Sequence, residues 1–142
     1  MGTSGTRKPG SAPPGLALVM ESDVDLCAVI RSALLLEGHR VECVADCAAV
    51  LAWRSSVGSL PDELVLALGA GELDPDWKKL QLALDEDAVL SRAALIVLLT
   101  IRNGLTFPAR ARILQKPFAM GKLLALVATD VARASARPAR PV

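Results

Sequence analysis

The eight residues from Pro61 to Leu68, PDELVLAL, constrain this chain more than any other stretch. A polar lead-in is followed by a short apolar run and then by Gly69 and Gly71. That pattern suits a strand buried on both faces. In an open parallel sheet, chemistry collects at the carboxyl ends of such central strands. Here that end carries Ala67, between Leu66 and Leu68. None of these side chains can carry a proton, a phosphoryl group or a metal ion.

The neighbouring segments fit around such a strand. Leu16–Met20, LALVM, reads as a first strand leaving through Glu21, Ser22 and Asp23. Leu26, Val29, Ile30, Ala33 and Leu34 then recur at helical spacing, with Ser22 as N-cap and Gly38 as the stop. Arg40–Val44 is a second strand. Asp46 opens a second helix through Trp53 and Arg54. A third helix runs from Trp77 to Leu84, and Asp85–Arg92 fits either its continuation or a separate short helix. Ala94–Thr100 is the fourth strand. A fifth, Ile113–Gln115, leads into Lys116-Pro117-Phe118, and a last helix spans Met120–Ala134 with Leu123, Leu124, Val127 and Val131 inward. Strands alternating with helices across short loops give a three-layer α/β sandwich on a parallel sheet.

Composition sets the remaining bounds. Of the 142 residues, 52% are hydrophobic but only 3% aromatic, so the core is aliphatic. One domain is expected over 16–134, between a disordered leader at 1–15 and a disordered Arg/Pro tail at 135–142. The longest apolar run, Ala93–Ile101, is too short to span a bilayer, and the leader lacks the hydrophobic segment of a signal peptide. MGTSGT matches a myristoylation pattern, but a flexible leader explains it as well. Cys27, Cys43 and Cys47 read as reduced thiols of a cytoplasmic protein, and the spacing of Cys43 and Cys47 finds no further metal ligands. Gly69-Ala70-Gly71 opens a dinucleotide-type turn, yet its third glycine position holds Asp74, which would repel a pyrophosphate.

The acidic exit from strand one, the EGHRV step, PDELVLAL, IVLLT and QKPF, in this order, resemble the receiver domain of bacterial response regulators. The resemblance covers roughly Leu16 to Ala134. It implies a doubly wound five-stranded sheet of strand order 2-1-3-4-5. It also implies phosphoryl transfer to an aspartate at the end of strand three, aided by a metal held by acids after strand one, a hydroxyl after strand four and a lysine after strand five. On that pattern Glu21, Thr100 and Lys116 match, Ser22 replaces the second acid, and Ala67 replaces the phosphoacceptor. An alanine methyl cannot attack phosphorus. Two of the carboxylates that would hold Mg²⁺ are gone. Asp62 lies at the wrong end of strand three, and Asp74 and Asp76 lie beyond the glycines, so none restores the acceptor. Only fifteen residues separate Thr100 from Lys116, and no amphipathic helix fits among them, so the helix between strands four and five is short or missing. Ile113 stands where the resemblance implies an aromatic switch. Lys116, if buried, needs a partner, and Glu21 is the acid available.

From Arg92 onward nine Lys/Arg face a single acid, Asp130, although the net charge is only +1. A solvated face is the default reading of such a bias. Arg102, Arg110, Arg112 and Lys122 mark a candidate surface for an acidic protein partner, on which reversing Arg110 and Arg112 to Glu should leave stability nearly unchanged. The lack of interleaved aromatics and of any DNA-binding module argues against nucleic acid. These residues therefore point to a phosphorylation-independent pseudo-receiver, a protein-interaction module of bacterial signalling, with self-association open. The alternative is a sensor of a small ligand or metal in the vestigial pocket. An α/β enzyme is disfavoured, because no nucleophile, base, metal site or complete cofactor loop can be named.

Overall fold

A computed structural model of the chain describes residues 15–56, 61–68, 74–100 and 105–136. Five parallel strands, β1 (Leu16–Met20), β2 (Arg40–Val44), β3 (Glu63–Leu68), β4 (Ala94–Leu99) and β5 (Arg112–Gln115), lie in the order β2-β1-β3-β4-β5. Four helices accompany them: α1 (Val24–Leu36), α2 (Cys47–Ser56), α3 (Trp77–Glu86) and α4 (Met120–Ala136). This is the doubly wound three-layer architecture expected from the alternating runs, and β1 and β3 are buried at every position.

The period of two along each strand divides the core. Leu18, Met20, Leu64, Leu66, Leu95 and Val97 pack towards α2 and α3, where they meet Val50, Trp77, Leu80 and Leu84. Val19, Val65, Ala67, Ile96 and Leu98 point the other way, onto Ile30 and Leu34 of α1 and Leu123, Val127 and Val131 of α4. Each large aliphatic side chain buried here contributes about 1.5–3 kcal/mol of transfer free energy. Trp77 is 2% exposed and meets Phe107 edge-on at 5.7 Å.

Local details refine the sequence reading. Asp23, not Ser22, caps α1, its carboxylate accepting from the N–H groups of Asp25 and Leu26. An aspartate holds those two donors more strongly than a serine hydroxyl would, because the acceptor is charged. Gly38 ends the helix as expected, with a φ of 92° that any side chain would strain. The residues after α3 form a single 3-10 turn at Leu90–Arg92. α4 continues to Ala136, two residues into the segment assigned to the tail, because nothing in VARASA breaks a helix. Between β4 and β5 the described residues 105–111 contain no helix. This strap is held instead by Leu105 and Phe107 against the core and by Gln81, whose Nε2 donates to the carbonyl and hydroxyl oxygens of Thr106. Arg102, 1–14 and 137–142 lie outside the described residues. No helix among the described residues is long and apolar enough to cross a membrane.

Candidate functional site

Parallel pairing brings the carboxyl ends of β1, β3, β4 and β5 to one edge of the sheet. Glu21 follows β1 directly, its N–H donating to the Val44 carbonyl, and it is 6% exposed. Ala67 stands one residue before the end of β3, beside Leu98 of β4, with its methyl in the core layer under α1 and α4. Thr100 leaves β4 with its N–H on the Leu68 carbonyl. Lys116 leaves β5 with its N–H on the Leu99 carbonyl, ahead of a cis bond to Pro117. Four of the five candidate pocket residues are thus placed by strand ends, and Ser22 projects from the following loop into solvent.

Lys116 Nζ lies 3.0 Å from Glu21 Oε1, joining the two ends of the sequence pattern in one ion pair. Glu21 Oε2 accepts from the Asp23 N–H at 2.9 Å. Both carboxylate oxygens are therefore in use, one on an ammonium and one on a helix entry. The divalent metal implied by the receiver resemblance does not fit these residues. Its ligands would be one committed carboxylate, a solvent-exposed serine hydroxyl and a methyl group, whereas such ions demand several hard oxygens. Beside the pair, Leu26, Thr100, Phe118 and Met120 line a largely apolar cavity of about 440 Å³.

The other acids are occupied elsewhere. Asp62 accepts from the Leu16 N–H at 2.8 Å, at the opposite end of the sheet. Asp74 accepts from the N–H groups of Cys47 and Asp76. Burial pushes the Asp74 carboxyl up, but those two donors outweigh it and hold it below the usual range. Cys27 and Cys47 are buried, and burial pushes both thiols up to about 12, with Cys43 adding to the rise at Cys27 and Asp74 at Cys47.

Two of the basic residues expected on a partner surface, Arg110 and Arg112, are instead committed to groups within the fold. Arg110 turns inward, donating from Nε to the Ala93 carbonyl and from Nη2 to those of Leu84 and Leu90. Arg112 forms an ion pair with the buried Asp130. Reversing either charge would strand acceptors inside the protein, so the expected neutrality of those substitutions towards stability is overturned. Lys122 alone of the described members of that set is exposed. The sequence reading passed over two buried acids, Glu63 and Asp130. Each carried a signal: Glu63 directly precedes the apolar run of a central strand, and Asp130 falls on the inward face of its helix, three residues after Val127.

No protein-family model matches the chain, and no curated protein does. Solved structures do. A receiver domain of a signal transduction histidine kinase from Syntrophus aciditrophicus superposes with a TM-score of 0.71 at 15% identity, covering 90% of this chain and 98% of that one. A Francisella response regulator receiver domain gives 0.67 at 17%, covering 84% and 98%. A response regulator receiver domain protein from Bacillus halodurans gives 0.65 at 20%, covering 89% and 99%. At these identities the likeness is one of fold: the chain has the receiver fold.

Proposed function

We propose that this chain is a phosphorylation-independent pseudo-receiver, a cytoplasmic protein-interaction module of bacterial signalling. The observation that carries the proposal is Ala67, a methyl at the strand end where the resemblance implies an acceptor carboxylate. The Glu21–Lys116 pair supports it, because the lysine that would neutralise a phosphoryl group is already neutralised. The partner surface lies on α1, whose Val24, Val29, Leu35 and Leu36 are 80%, 54%, 43% and 87% exposed. A second copy of the chain is the competing occupant of that face. The alternative reading, a small-ligand sensor, draws on the apolar cavity beside Lys116.

Intact-mass measurement after incubation with acetyl phosphate and Mg²⁺ tests the central point. The wild-type chain gains no phosphate. Ala67→Asp alone stays a poor acceptor, since no second carboxylate holds the metal against the repulsion between nucleophile and phosphoryl oxygens. Ser22→Asp with Ala67→Asp does better than either substitution alone. An adduct on the wild-type chain sinks the proposal.

A further inference from the structure

At the amino ends of β4 and β5, across the sheet from Lys116, lies a second cavity, of about 260 Å³. Arg92, Arg110, Arg112 and Arg133 line it together with Asp130. Four guanidiniums thus surround one carboxylate. Arg110 and Arg112 are held in place by the carbonyls and the carboxylate described above. Arg92 and Arg133 are exposed, and their side chains make no hydrogen bond or ion pair among the described residues. Glu63 sits close by at the start of β3. Burial, opposed by Arg112 and assisted by Asp62, pushes its carboxyl up to about 9, so it cancels none of this charge near neutral pH.

Guanidinium forks match the planar or tetrahedral array of oxygens on a small anion. The volume holds about nine waters at roughly 30 Å³ each, which is below the range of pockets for larger organic ligands. Asp130 narrows the choice further. One of its oxygens pairs with Arg112, while Oδ2 is buried and has no partner. A fully deprotonated anion would meet that oxygen as a repulsion, whereas an anion that keeps one proton can donate to it.

We propose that this cavity is a binding site for hydrogen phosphate, with Arg92, Arg112 and Arg133 gripping the charged oxygens and Asp130 accepting the P–O–H. Sulfate has the same shape but no proton to give. A phosphomonoester has largely lost its second proton near neutral pH, its second pKa being about 6. The site therefore selects free phosphate over a phosphoryl group carried on a larger molecule. None of these residues belongs to the Glu21–Lys116 end, so the site stands or falls independently of the pseudo-receiver reading.

Isothermal titration calorimetry of the full chain, at matched ionic strength and slightly above neutral pH, tests the assignment with phosphate, sulfate and glycerol phosphate. One phosphate should bind per chain, with sulfate and glycerol phosphate at least about tenfold weaker. The double variant Arg92→Ala with Arg133→Ala changes two exposed side chains and should keep the circular dichroism of the wild type while losing about tenfold or more in phosphate affinity. Absence of saturable phosphate binding overturns the site, as does undiminished binding by the double variant. Equal affinity for sulfate and phosphate overturns the role given to Asp130 and reduces the cavity to a patch of charge.

Discussion

At the carboxyl ends of the strands, Glu21 and Lys116 satisfy one another, and the second oxygen of Glu21 takes up a backbone N–H. At the amino ends the accounts stay open. Among the described residues, all four buried side-chain nitrogen or oxygen atoms without a partner belong to His39, Glu63 and Asp130. His39 precedes β2, Glu63 begins β3, and Asp130 faces the start of β5 through Arg112. The receiver resemblance would place unspent charge at the other end, around an acceptor and its metal. Instead that end holds the methyl of Ala67 and a Glu21–Lys116 pair whose charges satisfy one another. Buried polar groups without partners are rare in folded proteins and call for an explanation. In this chain such groups lie at the amino ends of the strands, away from the Glu21–Lys116 pair.

Three substitutions sharpen or break this contrast. The largest effect is expected from Arg110→Ala, which removes charged donors from three carbonyls. A destabilisation of about 3–5 kcal/mol in urea denaturation follows from hydrogen bonds to a charged group and from the acceptors left behind. A loss under about 1 kcal/mol would show that water replaces Arg110 freely.

Glu63→Gln should act in the opposite direction and depend on pH. The folded state holds a proton on Glu63 up to about pH 9, whereas the unfolded chain sheds it around the ordinary value of 4.5. Stability is therefore greatest below the lower value and falls through the window between the two, by at most about 1.4 kcal/mol per pH unit. The glutamine variant lacks that fall, and near pH 6.5 it should already be the more stable protein by about 2–3 kcal/mol. Parallel stability profiles of the two proteins from pH 5 to 8 would mean that Glu63 is ionised in the fold.

The smallest effect belongs to Lys116→Met. It leaves Glu21 buried with one oxygen still on the Asp23 N–H. Since the lysine side chain is 19% exposed, solvent can partly replace it, and a cost of about 1–2 kcal/mol is expected rather than the full penalty of a broken buried pair. Adding Glu21→Gln should recover most of it. A double variant as unstable as the sum of the two single ones would show that the pair is not coupled.

The contrast also marks what the sequence could disclose. Strands such as LVLAL and IVLL are legible because an unbroken apolar run between turn residues admits few other placements. The Glu21–Lys116 pair was legible because the resemblance brought two residues, 95 positions apart, to one edge. Arg110 was not. Its three acceptors lie on the end of α3, on the 3-10 turn and just before β4, and no local pattern announces a side chain that binds carbonyls from three separate places. A basic run therefore read as surface. The choice of Asp23 over Ser22 as the cap turned on a single residue of register, which the helical spacing of the apolar residues leaves open.

The thiols carry a consequence of another kind. Cys27 and Cys47 are shut away in opposite layers, one on the inner face of α1 and one at the first residue of α2, and both stay protonated far beyond neutrality. A reagent that attacks thiolates finds neither until its helix lifts from the sheet. The rate at which each cysteine is labelled is thus a clock for the opening of one layer. The two clocks can be read separately by peptide mass, without adding a probe to the chain.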